Sequence, residues 1–286
     1  MNKELLLGDN PFFGVDNLSQ ERARKRKLLL DGYDKIVNIM EYVYDEGVKG
    51  FVVSTHSEIR EFIEYLDSNT NILKKFDFYP ILPYAQGYVT KATEKGIVKA
   101  ASEILSSGTI QNKVKILIKG SIGYLMNDEK KLLETLIDVE LLPFSKTNKK
   151  IIFLHDGVTD LAFGLEMKNI VQTFCNHVKD KYNVEVGFVT KNLPMIMKKI
   201  QLWDLGKPKI MASYNPVGYL MNPSRKDYEQ ISNKDEIIAM NTLAAGSIEP
   251  EKSFNYLSKL SINRMVVGMS TIDHAKETIA SFKKYF

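Results

Sequence analysis

The sequence predicts an α/β fold: a TIM-type (β/α)8 barrel with one extra strand or hairpin, formed by residues 1–286 as a single domain. Three observations predict it. Apolar runs of strand length recur along the chain with helical stretches between them, the alternation of parallel β/α architecture. The runs are nearly continuous in Val, Ile, Leu, Phe and Met rather than alternating, as strands buried on both faces are. Nearly every run also stops at polar residues on the same side, the end at which barrels hold their active sites.

In chain order the predicted strands are Leu5–Gly8, Gly50–Ser54, Phe78–Leu82, Val114–Lys119, Ile151–His155, Val184–Val189, Lys209–Ser213, Glu236–Asn241 and Arg264–Gly268. That is nine against the eight a barrel closes with, so one is expected to lie outside the ring. Leu5–Gly8 and Phe78–Leu82 are the weakest, the latter because Pro80 cannot donate to a ladder. Between strands the apolar spacing is helical: Ile36, Ile39, Met40, Val43 and Tyr44 share a face, as do Met167, Ile170, Val171, Phe174 and Val178, and Ala275, Ile279 and Phe282. Ser57, Asn127 and Ser270 or Thr271 are predicted helix caps, and Gly47 fits a helix C-terminal turn. Irregular chain is expected at Asp9–Asp31 and Leu141–Lys149.

Composition limits the function classes. Hydrophobic residues make up 44% of the chain and charged residues 26%, a globular balance. No apolar run approaches the ~20 residues of a membrane span, and Leu5-Leu6-Leu7 is too short for a signal-peptide core, so a cytoplasmic protein is expected. The single cysteine, Cys175, excludes an internal disulfide framework and lies on the apolar side of a helix, where core is expected. Net charge is +4; the one dense basic cluster, Arg22 and Arg24 to Lys27, reads as a solvated face, with no nucleic-acid signature beside it. The partner expected is a small molecule, with no nucleic acid or membrane; the oligomeric state stays open.

The strand ends supply the candidate chemistry. His155 follows Ile151-Ile152-Phe153-Leu154 and can hydrogen-bond a carbonyl oxygen or exchange a proton near neutral pH. Lys119, ending Val114–Lys119, can polarise an oxygen, bind a phosphate, or form a Schiff base if desolvated. His56 is a second acid/base candidate or a helix-start residue without a role. The polar strand ends also hold Asp9, Asn10, Ser54, Thr55, Tyr84, Gln86, Ser121, Asp156, Thr190, Lys191, Asn192, Ser213, Tyr214, Asn215, Asn241, Thr242, Ser270 and Thr271. His177 reads as surface, and His274 as structural or a weak ligand contact. His56 and His155 with Asp9 or Asp156 lack metal-ligand spacing, so no metal is expected. Gly268-Met269-Ser270-Thr271 opens the last helix, where backbone N–H groups and hydroxyls can hold an anion or serve only as a cap.

At these residues the chain resembles the aldo-keto reductase superfamily, best over Ile151 to Ala280. Ile151–Asp156 is similar to the strand that delivers that family's histidine. Val184–Asn192 is similar to its GVSN strand, Ala212-Ser213-Tyr214-Asn215-Pro216 to its QxxYNP strand, and Ala239–Gly246 and Val266–Thr271 to its last two strands. Leu7–Gly14 and Asp45–Thr55 fit its first two units more loosely. The resemblance implies a nicotinamide cofactor, NADPH, and a Tyr, Asp, Lys and His tetrad in which Tyr donates a proton to a carbonyl. His155 matches the histidine and Lys119 the lysine. The strand end that carries the Tyr and Asp reads Val52-Val53-Ser54-Thr55-His56-Ser57-Glu58 here, with neither; Tyr84 or Tyr88 stands in for the acid and Asp9 for the carboxylate. Thr190, Asn192, Tyr214, Asn215, Ser270 and Thr271 are the implied cofactor contacts. The family's adenosine-phosphate arginine is replaced within Ala275-Lys276-Glu277-Thr278.

The resulting expectation is an aldo-keto reductase-like enzyme acting on a small polar carbonyl or hydroxy compound, with His155 and Lys119 at the site. A cofactor-independent lyase or isomerase on such a metabolite, phosphorylated ones included, is the alternative. A non-catalytic descendant that binds a metabolite or protein is the third reading.

Overall fold

The computed structural model describes residues 3–14, 32–56, 58–83, 129–231 and 234–286. Its strands are β1 (Glu4–Gly8), β2 (Gly50–Ser54), β3 (Asp77–Leu82), β4 (Asn148–Lys149), β5 (Ile151–Leu154), β6 (Glu185–Thr190), β7 (Lys209–Ser213), β8 (Ile237–Met240) and β9 (Arg264–Gly268). All pair in parallel, in the order β2-β1-β9-β8-β7-β6-β5-β3, and β2 pairs with β3 to close an eight-stranded barrel. The two-residue β4 is the extra strand and, among the described residues, pairs only with the start of β3.

Leu5–Gly8 and Phe78–Leu82, the two weakest expectations, are both ring strands. The predicted strand Val114–Lys119 lies outside the described residues, and the ring closes without it. Pro80 is tolerated in β3 for a local reason. The Phe78 carbonyl accepts from Lys150 N–H at 3.0 Å, so Pro80, two residues on, turns its missing donor toward that same neighbour. The register changes there: Phe78 pairs with Lys149 but Ile81 with Phe153, so one extra residue lies opposite Pro80. Proline is found at such bulges, where the ladder is already interrupted.

Inside the barrel, alternate residues of the strands pack against one another: Leu6, Val52, Tyr79, Ile81, Ile151, Phe153, Val189, Met211, Ile238 and Val266. Two glycines make room for the rings. A Cβ on Gly187 would lie 2.3 Å from the Phe153 ring, and one on Gly50 would lie 2.8 Å from Tyr79. The intervening residues face outward and meet the helices in the larger outer core. At the N-terminal mouth the interior ends in ion pairs: Arg264 with Glu4 at 2.9 Å, and Lys209 with Glu185 at 3.3 Å and with Glu236.

The helices α1 (Tyr33–Asp45), α2 (Ile59–Asn69), α3 (Ile72–Lys75), α4 (Glu129–Leu141), α5 (Asp156–Gly164), α6 (Lys168–His177), α7 (Leu193–Trp203), α8 (Arg225–Glu229), α9 (Pro250–Ser258) and α10 (Ile272–Tyr285) surround the ring. In α1 the buried face is Ile36, Val37, Ile39, Met40 and Val43, and Gly47 adopts φ +100° just after its end. Cys175 is buried in α6. His177 corrects the surface expectation: only 12% of its side chain is exposed, and its Nε2 lies 2.7 Å from Asp138 Oδ1, tying α6 to α4. No helix among the described residues is long and apolar enough to cross a membrane.

Candidate active site at the C-terminal mouth

The ladder of β5 ends at Leu154, and His155 leaves it in extended conformation (φ −62°, ψ 145°) as the N-cap of α5. Its backbone N–H still donates to the Leu82 carbonyl of β3 at 2.9 Å, which fixes the imidazole's origin on the ring. About a quarter of the side chain is exposed. His155 Nδ1 lies 2.7 Å from Asp156 Oδ1 and 3.2 Å from Gly157 N–H, and that N–H also donates to Asp156 Oδ1 at 2.8 Å. A lone pair on Nδ1 would face a carboxylate oxygen at 2.7 Å, so the consistent assignment puts a proton on Nδ1 and lets Asp156 Oδ1 accept from both groups. Nε2 is then the nitrogen left for a substrate.

Lys191, the first residue after β6, brings its Nζ to 2.7 Å from Asp156 Oδ2. Asp156 therefore sits between an imidazole and an ammonium. Burial alone would raise its pKa, but the bonds and charges of His155 and Lys191 outweigh that and hold the carboxyl well below the usual carboxylate range. One helical turn on, Asp160 accepts from the Thr190 hydroxyl and from Lys191 N–H at 3.0 Å. Burial raises its pKa, with the Asp156 charge adding to the rise and the Thr190 and Lys191 bonds opposing it.

Around the ring, Asp9 follows β1 and is 5% exposed. Ser54 N–H donates to its Oδ2 at 2.8 Å, and His56 Nε2 stands 4.0 Å from the same oxygen. Burial pushes its pKa up to about 7, against the lowering effects of backbone N–H bonds and the His155 charge. His56 Nδ1 accepts from Glu58 N–H at 3.2 Å, and its ring packs on Phe13 with centroids 4.0 Å apart. Ser213, ending β7, accepts from Asn241 Nδ2 at 2.9 Å. Among the described residues no group of three or more His, Cys, Asp or Glu side chains could hold a metal ion.

The structure thus brings His155, Asp156, Asp160 and Lys191 together, with Asp9 and His56 on a second cluster. Lys119 and Tyr84, and with them Tyr88 and the basic cluster at 22–27, lie outside the described residues. The strand bonded to the other edge of β5 is β3, which ends at Leu82. Asp160 was missed from sequence, although its signal was there: a carboxylate four residues after Asp156 on the same helix face.

The residues matched to a nicotinamide site are engaged otherwise. Tyr214 is fully buried, and its hydroxyl donates to the Tyr228 carbonyl at 3.1 Å. Asn215 is also fully buried and bonds Tyr219 and Asn241 backbone. Thr190 is fully buried between Asp160 and Asn192 N–H. Asn192 caps α7 through Met195 N–H, and Thr271 caps α10 through His274 N–H. Ser270 is partly exposed beside that cap. As placed, Thr190, Tyr214 and Asn215 have no surface to offer a cofactor ring, so these three do not fit a nicotinamide cradle.

No protein-family model matches the sequence, and no curated protein does. Solved structures do resemble it. A protein of Pseudomonas aeruginosa described as an aldo-keto reductase superposes with a TM-score of 0.63 at 12% identity, over 98% of this chain and 90% of that one. An aldo-keto reductase of Bacillus halodurans gives 0.56 at 10% identity, over 97% of this chain and 86% of that one. An aldo-keto reductase from a Medee basin deep-sea metagenome gives 0.52 at 10%, over 98% and 90%. The chain has the aldo-keto reductase-like β/α-barrel fold.

Proposed function

We propose that the C-terminal mouth is the active site of an enzyme acting on a small polar carbonyl or hydroxy compound. His155 is the group that exchanges a proton with, or donates a hydrogen bond to, the substrate oxygen. The carrying observation is the His155–Asp156–Lys191 chain, 2.7 Å at each link, at the barrel end where such folds hold their sites. Asp156 holds the imidazole by Nδ1, and Lys191 balances the charge of Asp156, so Nε2 can gain or lose a proton without leaving a buried carboxylate unpaired. The fold likeness to proteins described as reductases supports a carbonyl as the reacting group.

A second reading has its own support. Asp9, raised to about 7, is a group that can hold or release a proton near neutrality, and its pKa responds to the His155 charge. Asp9 and His155 at one mouth suit moving a proton between two atoms of a hydroxy carbonyl, as an isomerase or lyase does. The buried state of Thr190, Tyr214 and Asn215 favours this reading over hydride transfer.

Calorimetry with NADPH and NADH, together with turnover of a panel of small hydroxy aldehydes and ketones followed by NMR in D2O, separates the two. Saturable nicotinamide binding with cofactor-dependent consumption supports the reductase. Absence of binding at millimolar cofactor sinks it, and solvent deuterium entering a panel compound then supports the isomerase or lyase. If His155→Ala leaves turnover unchanged, both readings fail.

A further inference from the structure

We propose that Asp160 is a positioning residue that sets the orientation of the His155 imidazole through the end of β6. The inference rests on the reading that His155 handles the proton at this mouth. Asp160 lies one turn after Asp156 on α5, so the two carboxylates share a face. Each takes a different part of the same short segment. Asp160 accepts from the Thr190 hydroxyl and from Lys191 N–H at 3.0 Å, and Thr190 Oγ1 in turn accepts from Asn192 N–H at 2.9 Å. Backbone 190–192 is thereby pinned to α5. From that backbone the Lys191 side chain reaches Asp156 Oδ2 at 2.7 Å, and Asp156 Oδ1 reaches His155 Nδ1 at 2.7 Å.

A second carboxylate within a turn of Asp156 is costly as local structure, because like charges at this spacing repel. An asparagine at 160 would avoid that repulsion, but its single acceptor oxygen cannot take the Thr190 hydroxyl and Lys191 N–H on separate atoms, as the two carboxylate oxygens do. What an acceptor-only carboxylate adds is a fixed direction: each oxygen takes one donor, Oδ1 the Thr190 hydroxyl and Oδ2 the Lys191 N–H, so the segment is held at two points. Lys191 is about two-fifths exposed, so without a pinned backbone its long side chain would populate solvent rotamers and release Asp156. The imidazole would then lose its orienting partner, and Nδ1 would accept from Gly157 N–H instead, at the 3.2 Å contact already present.

The test reads the tautomer of His155 by 15N NMR of histidine-labelled full-length protein at a pH where imidazoles are neutral. The chain has four histidines, and His155→Gln assigns the signal. In the native protein Nδ1 is expected to carry the proton. Asp156→Asn should exchange the protonated and unprotonated shifts of the two nitrogens, and Asp160→Asn should do so in part. Thr190→Val should follow Asp160→Asn, while Thr190→Ser, which keeps the hydroxyl, should keep the native spectrum. If Asp160→Asn and Thr190→Val lower the melting temperature but leave both His155 nitrogens unmoved, Asp160 is only structural and the proposal fails. Should Asp160→Asn not fold, the Thr190→Val and Thr190→Ser pair decides by the same readout. Because the readout needs no substrate, a later finding that His155→Ala still turns over would defeat the catalytic reading while leaving this coupling in place.

Discussion

Asp9 and Asp156 occupy equivalent places on the barrel, one residue beyond β1 and two beyond β5, and both are buried at the same mouth. Their protonation goes opposite ways. Asp9 is pushed up to about 7, whereas Asp156 is held well below the usual carboxylate range. Burial raises both; the partners differ. Asp9 receives backbone N–H groups and a histidine 4.0 Å away, while Asp156 has an imidazole and an ammonium each at 2.7 Å. Backbone dipoles do not repay the desolvation of a full charge here, and two directly bonded cation-forming groups do. One mouth thereby holds a carboxyl that can carry a proton near neutrality and another that stays a charged brace.

The largest expected break in this comparison is kinetic. His155→Ala removes the group the Asp156 side is built to hold, and turnover of any substrate found for the mouth should fall about a hundredfold to ten-thousandfold, the range of general acid–base catalysis. Steady-state rates against the native protein check it.

Next in size is the pH dependence set by Asp9. Its folded pKa is raised, so its contribution to stability is fully present below about 4 and is lost as pH rises toward about 7, a swing of up to about 4 kcal/mol. Asp9→Asn should abolish that slope. Urea unfolding of both proteins between pH 4 and 8 measures it; parallel stability curves would remove Asp9 from the comparison.

Asp156→Asn should act in the opposite window. The folded pKa of Asp156 is depressed, so its contribution is present above the ordinary carboxylate pKa near 4 and is lost as pH falls further. At neutral pH the substitution strands Lys191 and His155; the half-exposed lysine can rehydrate, so the cost is about 2 kcal/mol rather than the full cost of a broken buried pair. The smallest effect is that of Lys191→Met, under about 1 kcal/mol by thermal melts, since the pair it breaks is partly solvated.

Much of the barrel was legible because a strand buried on both faces leaves an uninterrupted apolar run, and β2, β7 and β9 match their predicted bounds. Pro80 made β3 look weak, but the proline stands where the pairing shifts from Phe78–Lys149 to Ile81–Phe153, a bulge that no local pattern reveals. His155 was legible as a histidine at the end of an apolar run. Its partners were less so: a lysine after a strand looks the same whether it enters solvent or a site, and the pairing of Lys191 with Asp156 needs the two strand ends side by side. Of the residues matched to a nicotinamide site, Thr190, Tyr214 and Asn215 are fully buried, while Asn192, Ser270 and Thr271 keep exposed surface. Tyr214 packs into the outer core and Asn215 is taken up by Tyr219 and Asn241 backbone, which no local pattern distinguishes from an open cradle.

The sequence by itself determined the β/α alternation, the polar rim at one end of the strands, and His155 on it, because hydrophobic periodicity and strand-end chemistry are local properties. Only the tertiary structure decided the order of the ring, the engagement of Tyr214, Asn215 and Thr190 in the fold, and the opposite states of Asp9 and Asp156. Those depend on which groups meet across strands and how much water remains between them, and a pKa follows that surrounding field rather than the residue's place in the chain.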